Sequence, residues 1–300
     1  MRSSEGFVFV RRGLHLYYNV LGEGPETVVV PNANWLSELL QPLAEGRRLI
    51  LYDPRSRGRS STVTDSRYLS LEDDVADLEA VRQYFGLERM SLLGYLYHAA
   101  VTALYALENP ERVERMLLVC PITPRIPGEW LQETPTAEEM TFPPGIPRLE
   151  EMRREGLDAE DPVAFCRAWF NYFLLPAQMG ELAAAARFPL DDICSFPNEW
   201  PQHTMDLYFR HIVPKMEAWD FRPRLAELRM PLLVVQGTDD LVPTEASREW
   251  AAHAGNARFL AIEGSGSHPY IERPKEFFPA ADEFLRGEWP RGSESGARVA

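Results

Sequence analysis

A chain of 300 residues in which 45% are hydrophobic and 25% charged has a globular composition, which excludes a disordered or fibrous chain. Its formal charge of −14 repels phosphate backbones, and the one basic concentration, Arg55, Arg57 and Arg59, is too small to reverse that field, so no nucleic-acid partner is expected. No apolar run approaches the roughly 20 residues that span a bilayer, no secretory h-region stands behind Met1 to Arg12, and the three cysteines are scattered, so the expectation is a cytoplasmic protein with no membrane partner.

In chain order, short β-rich segments alternate with helix-period segments, the pattern of a mainly parallel sheet covered by helices on both faces. Phe7 to Val10 and Leu14 to Asn19, separated by Arg-Arg-Gly, read as an antiparallel hairpin. Thr27 to Val30 and Arg48 to Tyr52 read as strands around a helix at Trp35 to Ala44. Leu71, Val75, Leu78, Val81 and Phe85 have helical spacing. A strand at Met90 to Leu93, a helix from Tyr97 to Glu108 and a strand at Arg115 to Cys120 follow.

After Pro121 the rhythm stops for about a hundred residues, rich in Pro, Trp and Phe, with helical pieces at Asp161 to Leu174 and Glu181 to Arg187. This stretch reads as a helical cap inserted after the sixth strand. Alternation resumes with a strand at Leu232 to Val235, a helix at Thr244 to Ala254, a strand at Ala257 to Ile262 and a helix at Pro274 to Leu285. The expected organisation is one α/β core at 1–122 and 223–286, a cap at 123–222, and a mobile tail at 287–300 without periodicity.

The segment Leu92-Leu93-Gly94-Tyr95-Leu96-Tyr97-His98, followed by Ala99, Ala100, Ala103 and Ala106, has the strand, sharp turn and small-residue helix of a nucleophile elbow. With Asp53-Pro54-Arg55-Ser56-Arg57-Gly58-Arg59-Ser60, Gly237-Thr238-Asp239-Asp240 and Gly266-Ser267-His268 in that order, the chain resembles the α/β-hydrolase superfamily, particularly its bacterial branch near proline iminopeptidases and small esterases. The resemblance implies an eight-stranded, mainly parallel sheet. Asp240 and His268, each after a strand, would meet at the carboxyl edge as a hydrogen-bonded acid–histidine pair. Asp239 reads as a loop charge. His15, His203, His211 and His253 lack metal-ligand spacing with a carboxylate, and neither a metal nor a cofactor is expected.

Two departures stand out. Leu96 occupies the position that the resemblance gives to the nucleophile, and a hydrocarbon has neither lone pair nor exchangeable proton. Without a nucleophile to justify a strained backbone, a relaxed turn or a packing reason is expected. The loop after the third strand reads Pro31-Asn32-Ala33-Asn34-Trp35 where the family usually has His-Gly. The backbone N–H groups of Ala33 and Tyr97 are the candidate oxyanion donors, and Asn32, Asn34, Trp35, Tyr95 and His98 are the candidate pocket residues. Cys120 reads as a buried structural thiol.

Three functions fit. An enzyme would use Asp240 and His268 on water or a carbon acid without a covalent intermediate. A binding protein would enclose a small apolar molecule without turnover. A hydrolase would draw on a substitute nucleophile. In each the partner is a small molecule, and the oligomeric state is left open.

Overall fold

The computed structural model describes residues 3–125 and 145–296; the parts of the expected cap at 126–144 and of the tail at 297–300 lie outside them. Among the described residues, nine strands form one sheet in the order β1-β2-β4-β3-β5-β6-β7-β8-β9. They are β1 (Ser3–Phe9), β2 (His15–Leu21), β3 (Thr27–Pro31), β4 (Arg48–Tyr52), β5 (Met90–Tyr95), β6 (Val113–Val119), β7 (Leu232–Gly237), β8 (Ala257–Ile262) and β9 (Glu294–Ser295). Strands β3 to β8 run parallel, whereas β1 and β2 form the expected hairpin and β2 pairs antiparallel with β4.

The ninth strand raises the expected count of eight by one, and it lies within the stretch expected to be a tail. Glu294 and Ser295 pair with Phe259 and Arg258 of β8, and Arg248 reaches the Glu294 carboxylate at 2.6 Å. Backbone pairing needs no side-chain pattern, so this edge carries no periodic signal.

Side chains along the strands alternate between two cores, because successive residues of a strand point to opposite faces. Val29, Ile50, Leu92, Leu118 and Val234 join α2 (Leu71–Tyr84), α3 (His98–Glu108) and α4 (Thr244–His253) in one cluster. Val28, Leu51, Leu93, Leu117 and Val235 join α1 (Ala33–Leu36) and α5 (Pro274–Leu285) in the other. Each such fully buried side chain stabilises the fold by about 1.5–3 kcal/mol. Ser70 caps α2 by accepting from the Asp73 N–H at 3.2 Å, with Glu72, Asp73 and Asp74 in the positive first turn.

The helix expected at Trp35 to Ala44 is two pieces, α1 and a 3-10 turn at Gln41–Ala44. Pro42 cannot donate a helical hydrogen bond and its ring clashes with the preceding turn, so the helix does not run through. Between β6 and β7 lie short helices, two of them π-helical, at Phe170–Leu174 and Leu207–Ile212. Cys166 and Cys194 form a disulfide between two of these helices. The scattered cysteines carried no signal of this bond, which links residues 28 apart. No helix among the described residues is long and apolar enough to cross a membrane.

Candidate active site

The turn after β5 is sharp. Leu96 has φ +49°, in the left-handed region where a non-glycine residue costs on the order of 1–3 kcal/mol, so the expected relaxed turn is not found. The turn is held by Leu96 N–H donating to the Val119 carbonyl at 3.3 Å and by the Leu96 carbonyl accepting from Ala99 and Ile122. Gly94 lets α3 start directly above the strand: a Cβ there would lie 2.4 Å from Thr102 Oγ1 and 2.7 Å from Ala99 Cα. The Leu96 side chain packs half-buried on the apolar cluster around α1 and α5, which is the packing reason for a leucine at this place. His98 is buried, faces the cavity described below, and is held neutral, its pKa lowered to about 3 by burial and by Arg57.

The acid and the histidine are both at the carboxyl edge, but the expected hydrogen bond between them is not formed. Asp240 Oδ1 accepts from the Val242 N–H at 2.9 Å, and the buried Oδ2 makes no hydrogen bond of good geometry among the described residues, although the Ser267, Cys120 and Gln236 side chains lie close enough to lower its pKa. His268 is fully buried. Its Nδ1 is engaged by the Tyr95 hydroxyl at 2.7 Å and the Tyr270 hydroxyl at 3.1 Å, its Nε2 has no partner, and the Phe188 ring stands edge-on 5.2 Å away. Two phenols have taken the nitrogen that the carboxylate was expected to orient. Burial pushes Asp240 up to about 6, against the opposing Val242 N–H, and pushes His268 down to about 3. Asp239 is exposed and accepts from the Thr238 hydroxyl, as a turn residue does. Cys120 is buried 3.7 Å from the Gly266 carbonyl, and burial and Asp240 hold its thiol well above the ordinary range, so it is no thiolate.

The loop after β3 splits. Asn32 is buried in a left-handed conformation, φ +82°, and faces the cavity; its side-chain oxygen has no hydrogen-bond partner among the described residues. Trp35 also lines the cavity, whereas Asn34 and Ala33 line a separate depression. Of the two expected oxyanion donors, Tyr97 lines this cavity and Ala33 the neighbouring depression. Asn34 N–H is drawn instead to Asp53 Oδ1 at 2.6 Å, while Arg59 N–H donates to Oδ2 at 3.0 Å. Gly58, at φ +47°, allows this closure, since a Cβ would fall 2.2 Å from Asp53 Oδ2.

Sequence reasoning missed the clamp that joins this edge to the helices between β6 and β7. Arg57 donates from Nε and Nη2 to Glu199 at 3.0 and 2.6 Å and from Nη1 to the Tyr208 hydroxyl at 2.5 Å. Gly58 N–H and Trp35 Nε1 complete the Glu199 carboxylate at 2.7 and 2.8 Å. Arg55 is likewise committed to Asp77 and Asp73. The signal for Glu199 was absent because it comes from an aperiodic segment 142 residues away from Arg57.

The clamp closes one side of a cavity of about 480 Å³, within the range of small-molecule sites. Leu96, Tyr97, Ile122, Trp169, Phe173 and Leu241 supply much of an apolar wall. Both π-helical segments face it, through Phe170 and Leu174 and through Tyr208 and Phe209, and such segments recur at functional sites. Gln178, also unforeseen, lines it with Oε1 unpartnered. His268 is not among the lining residues, whereas Tyr95, Asp240 and Ser267 are. Among the described residues no group of His, Cys, Asp and Glu has a metal-holding arrangement.

A family model for the alpha/beta hydrolase fold matches residues 31–274. The chain is 24% identical to a proline iminopeptidase of Heyndrickxia coagulans over 94% of this chain and 98% of that protein. It is 29% identical to 2-hydroxy-6-oxononadienedioate/2-hydroxy-6-oxononatrienedioate hydrolase 2 of Pseudomonas putida, over 95% and 97%. The enol-lactonase of Burkholderia xenovorans LB400 superposes with a TM-score of 0.68 at 22% identity, covering 94% of this chain and 100% of that one.

Proposed function

The chain belongs to the alpha/beta hydrolase family, and within that family we propose that it binds a small, mainly apolar molecule in the 480 Å³ cavity without forming an acyl-enzyme. The observation that carries this reading is the state of His268, whose Nδ1 is held by the Tyr95 and Tyr270 hydroxyls. A general base has to be within hydrogen-bond reach of the proton it takes, and His268 is fully buried and does not itself line the cavity. Leu96, at the turn, offers no attacking atom. The absence of an Asp240–His268 hydrogen bond supports this reading over an enzyme driven by that pair.

One observation favours a second reading. Asp240 borders the cavity with Oδ2 unpartnered and its pKa raised to about 6, the condition of a carboxylate that can accept a proton from water or a carbon acid by itself.

The test is release of p-nitrophenol from short- and medium-chain acyl esters. No turnover is expected from the wild type or from Leu96→Ser. Turnover that survives His268→Ala and disappears in Asp240→Asn supports the second reading. Turnover lost in His268→Ala overturns both and reinstates the acid–histidine pair.

A further inference from the structure

The charge on the cavity wall says what kind of molecule it takes. Four titratable or charged side chains other than tyrosines line it: Arg57, Glu199, Asp240 and His98. Arg57 and Glu199 cancel each other at 2.6 Å, and His98 is neutral as described above. Asp240 is the remaining charge, with no cation paired to it among the described residues. The side-chain amides of Asn32 and Gln178 also line the cavity with their buried oxygens unpartnered. Buried polar groups without partners cost about 1–3 kcal/mol each, a cost that a bound molecule removes if it brings donors.

We propose that the cavity selects apolar molecules whose polar end is a hydrogen-bond donor, a hydroxyl or an ammonium, directed at Asp240, Asn32 and Gln178, and that it rejects carboxylates. This rests on the small-molecule reading of the same cavity. A carboxylate would meet Asp240 as a like charge in a low-dielectric enclosure, and the one guanidinium nearby is already neutralised. An ammonium gives Asp240 its missing counter-charge, and a hydroxyl satisfies an acceptor without bringing charge. The relative from Pseudomonas putida is named for dioates, so the inference separates this chain's pocket chemistry from that relative's.

Isothermal titration calorimetry of the intact protein at pH 8 with octylamine, 1-octanol and octanoate tests it, the three sharing one apolar chain and differing in head group. Octylamine and octanol are expected to bind at least about tenfold more tightly than octanoate, and Asp240→Asn to remove most of the octylamine advantage over octanol. Octanoate binding as tightly as the other two, in a protein that binds all three, overturns the head-group selection and leaves the cavity reading standing. Equal octylamine preference in Asp240→Asn overturns the role of Asp240. Binding of none of the three withdraws the cavity reading and this inference with it. Leu174→Trp, which fills the cavity from its wall, separates binding there from binding elsewhere: affinity that survives it also overturns the proposal.

Discussion

The turn at Gly94 to His98 and the edge that carries Asp240 and His268 depart from a working acid–base–nucleophile site in opposite ways. At the turn the backbone keeps a tight left-handed geometry, with Leu96 at φ +49°, and the reactive side chain is missing. At the edge the reactive side chains are present and the contact between them is missing, because Tyr95 and Tyr270 hold His268. Backbone geometry and side-chain identity are thus separable. The turn is fixed by Gly94, by the start of α3 and by β5–β6 pairing, whereas the orientation of a histidine depends on whichever partner is nearest its nitrogen.

The clamp between Arg57 and Glu199 lines the same cavity as Leu96 and Asp240, so breaking it is the harshest test of the comparison. Arg57→Ala leaves Glu199 buried and unpaired, and removal of one partner of a buried pair costs about 3–5 kcal/mol. Chemical denaturation is expected to show a loss of that order, with Trp35 and Tyr208 released on the cavity side. An unchanged midpoint would mean that the roof holds without the pair.

Next in size is a pH effect confined to the edge. Asp240 has its folded pKa raised to about 6, above an unfolded value near 3.9. The folded state therefore binds more protons than the unfolded between these values, and the wild type loses stability as pH rises through them. Asp240→Asn does not titrate. The variant's stability relative to wild type should rise by about 2–3 kcal/mol from pH 4 to pH 7, read as the difference of two denaturation series. A flat difference would place Asp240 in a solvated setting.

Much of this contrast was beyond the reach of sequence for physical reasons. Strands such as Arg48–Tyr52 and Ala257–Ile262 and the helix Pro274–Leu285 were legible to the residue, because β-rich runs and apolar helical spacing are local signals. The place of the turn at Gly94 was legible through its resemblance to the family's nucleophile elbow, whereas its strained geometry at Leu96 was not. The Tyr95–His268 contact joins residues 173 apart, and nothing local in either stretch records it. Tyr270, two residues beyond His268, was the one available hint. Gln178 and Glu199 come from short helices without periodicity, and the chain around Pro42 kept an apolar pattern that its proline prevents from becoming a helix.

Releasing the histidine sharpens the comparison at smaller cost. Tyr95→Phe removes the shorter of the two hydrogen bonds to Nδ1 and leaves Tyr270, so a loss of about 1–2 kcal/mol is expected. In nuclear magnetic resonance the His268 imidazole should keep its lowered pKa, since burial and not the phenol is what lowers it. A rise of the His268 pKa towards the ordinary value would show instead that Tyr95 was keeping the ring from solvent.

The smallest expected effect is at the turn. Leu96→Asn puts at φ +49° a residue type that tolerates the left-handed region far better than leucine does, a relief of about 1–2 kcal/mol. The same change forfeits the half-buried contact of the leucine with its apolar cluster, worth about the same when partly exposed. The two terms oppose, so thermal unfolding should shift little, within about 1 kcal/mol at the midpoint. That near-cancellation is what distinguishes a turn imposed by Gly94 and α3 from one held by its own leucine. If Leu96→Asn destabilised the fold by several kcal/mol, the side chain at the turn would be a core residue in its own right, and the backbone strain there would be sustained by packing alone.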